Sequence, residues 1–232
     1  MATTADCTRH NSLPSAKADS ASFLKAVLLY TDMYTAAHIH LNTPSSHTDY
    51  FFQWKMWRLS VPQLLLHRGA SKHGPVINFA KYKPLSRTMQ LGLGDPSKRS
   101  EDGQLEQMEL TREKNFMFRS DYQFSTSVGR KDGTSASFRW RKNRQMRFKT
   151  VYDCVDEDSQ VVAKLFSGGM VNAEKGAEIE LLIGLDQSLQ EVLLMSALAV
   201  WAMESMEVRS ILRVFLRVYS HTAIYYEKCS AV

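Results

Sequence analysis

The densest chemistry in this chain is a basic run, Arg139, Arg141, Lys142, Arg144, Arg147 and Lys149, interleaved with Trp140 and Phe148. Cations at this spacing, with rings between them, suit phosphate: an anionic leaflet, a phosphoinositide headgroup or a nucleic-acid backbone. Near an anionic surface each such residue is worth about 1 kcal/mol. The competing reading is a solvated hairpin whose alternate residues point outward and bind nothing. Lipid is favoured over nucleic acid, and Arg139, Arg141, Lys142, Arg144 and Arg147 are the candidate binding residues.

Other reactive types are scattered. His38 and His40 stand two apart, so on a strand both would face one way and could share a metal. No third ligand is placed by sequence, and no metal or cofactor is expected. His67, His73 and Asp95 fall in turn-like segments and are the candidates for a pocket at a barrel mouth, the alternative reading as a small-molecule binder or enzyme. Asp153, Asp156, Glu157 and Asp158 are too crowded for a calcium loop and read as a turn. Gly92-Leu93-Gly94 lacks the later glycine of a dinucleotide loop and reads as a tight turn. Nucleophile elbow, phosphate loop and zinc-protease motifs do not occur, and a non-enzymatic protein is the expectation.

The elements that must hold these residues are mostly short strands. Phe23 to Leu41 is apolar and reads as strand or short helix, and Thr43 to Ser46 as a loop. Strands are predicted at Tyr50–Trp57, Gln63–His67, Val76–Tyr82, Thr88–Leu93, Leu105–Leu110, Asn115–Phe118, Tyr122–Ser125, Ala136–Trp140, Phe148–Cys154, Val161–Phe166 and Glu178–Ile183. Such spacing indicates a sandwich or barrel. A helix follows from Leu189 to Met206, capped by Asp186 or Ser188, with Glu191 in its first turn. Its apolar residues cover nearly all sides, so it must be surrounded, and a β-barrel does this most economically. An internal echo runs alongside: Trp54, Leu66, Val76 and Gly92–Asp95 recur in order as Trp140, Tyr152, Val162 and Gly184–Asp186.

Length and composition set the frame. The 232 residues suffice for one large domain, and 44% hydrophobic with 23% charged residues is ordinary for a soluble protein. A net charge of +5 favours anionic partners without requiring one. Cys7, Cys154 and Cys229 read as free thiols of a reducing, cytoplasmic compartment. Residues 1–20 carry no signal-peptide core and read as disordered. Val192 to Met203, broken by Ser196, falls short of the roughly 20 apolar residues that span a bilayer.

Several segments carry a family resemblance: Leu64–Lys72, Gln90–Pro96, Phe138–Arg141, Val155–Asp158 with Val161–Ala163, and Glu178–Glu180 leading to Gly184–Asp186. In this combination the chain resembles fungal tubby C-terminal-like proteins, within the group joining tubby, LURP-one-related proteins and phospholipid scramblases. The resemblance covers about residues 50 to 204. It implies a mainly β fold, a closed antiparallel barrel of about twelve strands around a central hydrophobic C-terminal helix. On this reading the barrel occupies 21–206, and 207–232 is an atypical extension carrying Ile211–Tyr219 and Ile224–Tyr226. The resemblance brings no site residues, because neither the phosphoinositide motif of tubby domains nor the calcium segment of scramblases aligns onto this chain. The expected function is a non-enzymatic intracellular barrel that meets anionic phospholipid, or otherwise a protein partner, at its surface.

Overall fold

The computed structural model describes residues 22–32, 36–42, 47–55, 63–83, 86, 88–98, 106–113, 121–130, 133–143, 150–167 and 175–205. Alternation of apolar and polar side chains dictates strands buried on one face. In Ala136–Asn143, for example, Ala136, Phe138 and Trp140 are buried while Ser137 and Arg141 are exposed. The strands are β1 (Phe23–Asp32), β2 (Ala36–Asn42), β3 (His47–Trp54), β4 (Leu64–Arg68), β5 (Val76–Tyr82) and β6 (Thr88–Leu93). They continue as β7 (Gln107–Arg112), β8 (Tyr122–Thr126), β9 (Ala136–Asn143), β10 (Thr150–Val155), β11 (Val161–Ser167) and β12 (Lys175–Leu182). Each pairs antiparallel with the next, and β1 closes on β12 from Phe23↔Leu182 to Leu29↔Lys175. Closure leaves no free sheet edge.

One helix, α1 (residues 187–205), fills the interior. Residues 191 to 203 of this helix are all buried, which explains the missing polar face. Trp201 packs against Tyr30, Phe52 and Trp54 at ring separations of 6.1, 6.3 and 5.1 Å. Asp186 is the cap: its Oδ1 accepts the Ser188 N–H at 2.9 Å and its carbonyl accepts the Gln190 N–H at 2.9 Å. The expected β-barrel enclosing a helix is therefore the observed fold.

The internal echo maps onto strands six apart. Trp54 and Trp140 lie on β3 and β9, Leu66 and Tyr152 on β4 and β10, Val76 and Val162 on β5 and β11. After β6 and β12, Gly94 and Gly184 take positive φ angles of 83° and 91°. Beyond them Asp95 Oδ1 accepts the Ser97 N–H at 2.9 Å, the same turn that Asp186 makes with Ser188. In the first half this turn leads into a loop, and in the second it starts α1.

Some elements differ from the reading of the sequence. Phe23 to Leu41 is neither one strand nor a helix, but two strands whose register runs from Lys25↔Asn42 to Asp32↔Ala36. Gly92 belongs to β6 rather than to a turn, paired with Phe79 on β5 and Gln107 on β7. A Cβ at Gly92 would sit 2.2 Å from Phe79 Cζ, so glycine is what lets this cross-strand aromatic pack. The expectations for 1–20, Asn115–Phe118 and 207–232 fall outside the described residues.

Candidate functional site

Strand alternation splits the basic run between the two faces of the barrel wall. Arg139 and Arg141 project outward from β9, while Lys142 points inward at the barrel end, with its Nζ 5.8 Å from the Tyr152 ring centre and 3.6 Å from Glu204 Oε2. Arg144 and Arg147, with Phe148 and Lys149, lie outside the described residues. Arg139 is engaged, donating to Glu113 Oε1 at 2.7 Å. Arg141 is exposed and has no ion-pair partner among the described residues, although Asp153 stands opposite it on β10. Asp153 instead accepts from Asn143 Nδ2 at 3.0 Å.

Arg139 and Arg141 line a groove of about 620 Å³ on the outer wall. Thr111, Gln123, Ser125 and Ser137 supply its hydroxyl and amide groups, and the carboxylates of Glu109, Asp156 and Glu157 line it as well. Glu157 accepts the Ser137 N–H at 2.9 Å and pairs with Arg130 at 3.1 Å, so its charge is spent locally. The groove overlies the shortest ladder of the barrel: β7 pairs with β8 at Thr111↔Gln123 and Arg112↔Tyr122, and the strands then diverge. Ser127 Oγ bridges the far end by donating to Glu106 Oε1 at 2.9 Å.

Two carboxylates hold the helix ends, Glu191 buried and Glu204 half-buried. Glu191 accepts from Arg68 at 2.6 Å, Gln187 at 3.2 Å and Tyr50 at 3.4 Å. Burial, and secondarily the Glu191 charge, push the Tyr50 hydroxyl up to about 12. At the other end Glu204 accepts from Tyr122 at 2.7 Å, with Arg112 at 3.9 Å and Lys142 at 3.6 Å. Tyr152 lies in the same cluster, its hydroxyl pushed far up first by burial and then by Glu204. Gln187 aside, these hydrogen bonds and ion pairs join residues from 62 positions apart, Lys142 and Glu204, to 141 apart, Tyr50 and Glu191, distances at which sequence spacing carries no signal. A charged residue in an otherwise apolar helix, as at Glu191 and Glu204, is the signal that could have found them.

The three mouth candidates each sit in a different local setting. His67 is buried on the outer side of the wall beneath the turn that follows β4, its Nδ1 donating to the Gly74 carbonyl at 2.9 Å. His73 is exposed in that turn. Asp95 is turned toward Ser97, whose hydroxyl and backbone N–H hold its carboxyl below the usual range. The acidic segment after β10 is a turn, as its crowding suggested: the Ser159 N–H donates to the Asp156 carbonyl at 3.1 Å, and Ser159 takes a φ of 62°. Cys154 is a free, fully buried thiol whose pKa burial pushes well up, which makes it unreactive. Among the described residues no helix is long and apolar enough to cross a membrane. Comparison with family models, with curated proteins and with solved structures found no match to this chain.

Proposed function

We propose that this barrel is a non-enzymatic binding module that recognises anionic phospholipid or phosphoinositide headgroups, and that it does so at the outer wall of β9, a site read from this chain's own arginines. One observation supports this reading above the rest. Arg141 is an exposed cation without an ion-pair partner among the described residues, and it stands beside Arg139 in a hydroxyl-lined groove. In sequence, β9 is followed closely by Arg144, Arg147 and Lys149. A phosphate would displace Glu113 from Arg139 or share that guanidinium, while Arg141 would meet it directly. Among the described residues, α1 fills the barrel interior.

The test is co-sedimentation of the protein with neutral, phosphatidylserine and phosphoinositide vesicles at low and physiological salt. Binding to the anionic vesicles that persists at physiological salt, where the screening length is about 8 Å, supports the reading. Equal binding to all three, or binding erased by physiological salt, returns Arg139 and Arg141 to a solvated wall.

A further inference from the structure

We propose that His38 and His40 form a two-imidazole binding site for a divalent transition metal on the outer wall of the barrel, with Asp49 as the residue that orients His40. The site is separate from the arginine groove and independent of the lipid reading. Both histidines lie on the same face of β2, and their rings sit 6.2 Å apart with planes inclined by 20°. Two imidazoles bound to one ion by bonds of about 2.0–2.1 Å have centres roughly 5–6 Å apart, so a small rotation brings both nitrogens onto a metal.

The geometry adds what spacing alone lacked. Asp49 stands opposite His40 on β3, and its Oδ1 lies 2.8 Å from His40 Nδ1. In a neutral imidazole, a hydrogen bond from Nδ1 to this carboxyl oxygen leaves the Nε2 lone pair for a metal. This is the outer-shell carboxylate that fixes tautomer and raises basicity in metal-binding histidines. The His40 side chain is 48% exposed, so ions and water reach it. His38 is braced by Phe51, whose ring meets it edge-on at 5.5 Å. On the other flank β1 presents Val27 opposite His40 and Leu29 opposite His38, neither of them charged. Asp49 is thus the charged group facing the pair from these two neighbouring strands.

Among the described residues no group of three or more His, Cys, Asp or Glu is placed to enclose a metal. The protein therefore supplies two nitrogens and leaves the other positions to water, which makes the site open and exchangeable. Imidazole donors suit copper, nickel and zinc, and the affinity order for divalent ions places Cu(II) first.

The experiment is calorimetric titration of the full chain with Cu(II), Ni(II) and Zn(II) chlorides at neutral pH, beside His38→Ala, His40→Ala, the double variant and Asp49→Asn. Wild type should bind Cu(II) most tightly. Each single histidine variant should lose at least about tenfold in affinity, and Asp49→Asn about 10–100-fold. The Cu(II) paramagnetic resonance spectrum of wild type should show coupling to two imidazole nitrogens, and the double variant should not. All five other histidines remain in the double variant, so it controls for binding elsewhere. Thermal melts show that the variants fold. Double-variant binding equal to wild type, or no binding of any of the three ions, overturns the site. An Asp49→Asn variant that binds as wild type overturns the role given to Asp49.

Discussion

Trp140 Nε1 donates a hydrogen bond to Ser196 Oγ across 3.1 Å, joining β9 to the middle of the enclosed helix. The same hydroxyl donates to the Leu193 carbonyl at 2.8 Å, so one fully buried oxygen satisfies an indole and caps its own demand. Ser196 interrupts the apolar helix for this reason. It also ties α1 to β9, the strand that carries Arg139 and Arg141.

Removing that oxygen should cost stability without changing the fold. Ser196→Ala leaves the Trp140 N–H buried and unpaired, a penalty of about 1–3 kcal/mol. Urea unfolding should show a lower midpoint with an unchanged slope. Adding Trp140→Phe removes the orphaned donor, but also trims the ring. The double variant should therefore lose less than the sum of the two single losses.

Ala197→Asp probes the enclosure itself. Ala197 is fully buried, so the substitution places a charge in the barrel interior with no partner provided. The effective cost of several kcal/mol is of the order of a whole domain's stability, about 5–15 kcal/mol. The variant should fail to fold cooperatively, as read by thermal unfolding and near-ultraviolet circular dichroism. A soluble variant with a wild-type melt would contradict an enclosed helix.

Tyr50 makes the barrel sensitive to alkali. Its hydroxyl is pushed up to about 12 in the folded protein, against an ordinary value near 10. Between those values the folded state holds a proton that the unfolded chain has released, so stability falls as pH rises through this window. The Tyr50 contribution is complete below about pH 10 and lost as pH passes about 12. Tyr152 acts in the same direction. Unfolding midpoints measured from pH 9 upward should decline, and Tyr50→Phe should make the decline shallower while lowering stability slightly at neutral pH.

The seam between β7 and β8 should be the first part of the wall to open. Its ladder ends after Thr111↔Gln123, whereas β1 and β12 pair along most of their length. In hydrogen exchange, amides of Met108–Leu110 and Phe124–Thr126 should exchange faster than those of β1 and β12. Equal protection across both seams would show that the divergence carries no energetic weight.

Much of the barrel was legible because strand burial writes a period of two into the sequence. Val161–Phe166 and Glu178–Ile183 came close to β11 and β12, and the all-round apolar helix required enclosure. The break inside Phe23–Leu41 was not legible, since residues 33–35 between the two strands include no Gly or Pro. Gly92 misled for the opposite reason: glycine signals a turn locally, but here it accommodates Phe79 from a neighbouring strand. The basic run was visible as charge, yet its division into outward Arg139 and Arg141 and inward Lys142 depends on which face of β9 is buried. Glu113 and Glu204, which claim Arg139 and Lys142, are brought there only by the closed barrel.

The most direct measurement compares Arg141→Ala with Arg139→Ala in binding to phosphoinositide-containing vesicles at physiological salt. Arg139 is already paired with Glu113, while Arg141 has no ion-pair partner among the described residues. Arg141→Ala should weaken binding severalfold and more than Arg139→Ala does, with both melts close to wild type. Wild-type affinity in the Arg141→Ala protein would contradict a phosphate-binding wall at β9.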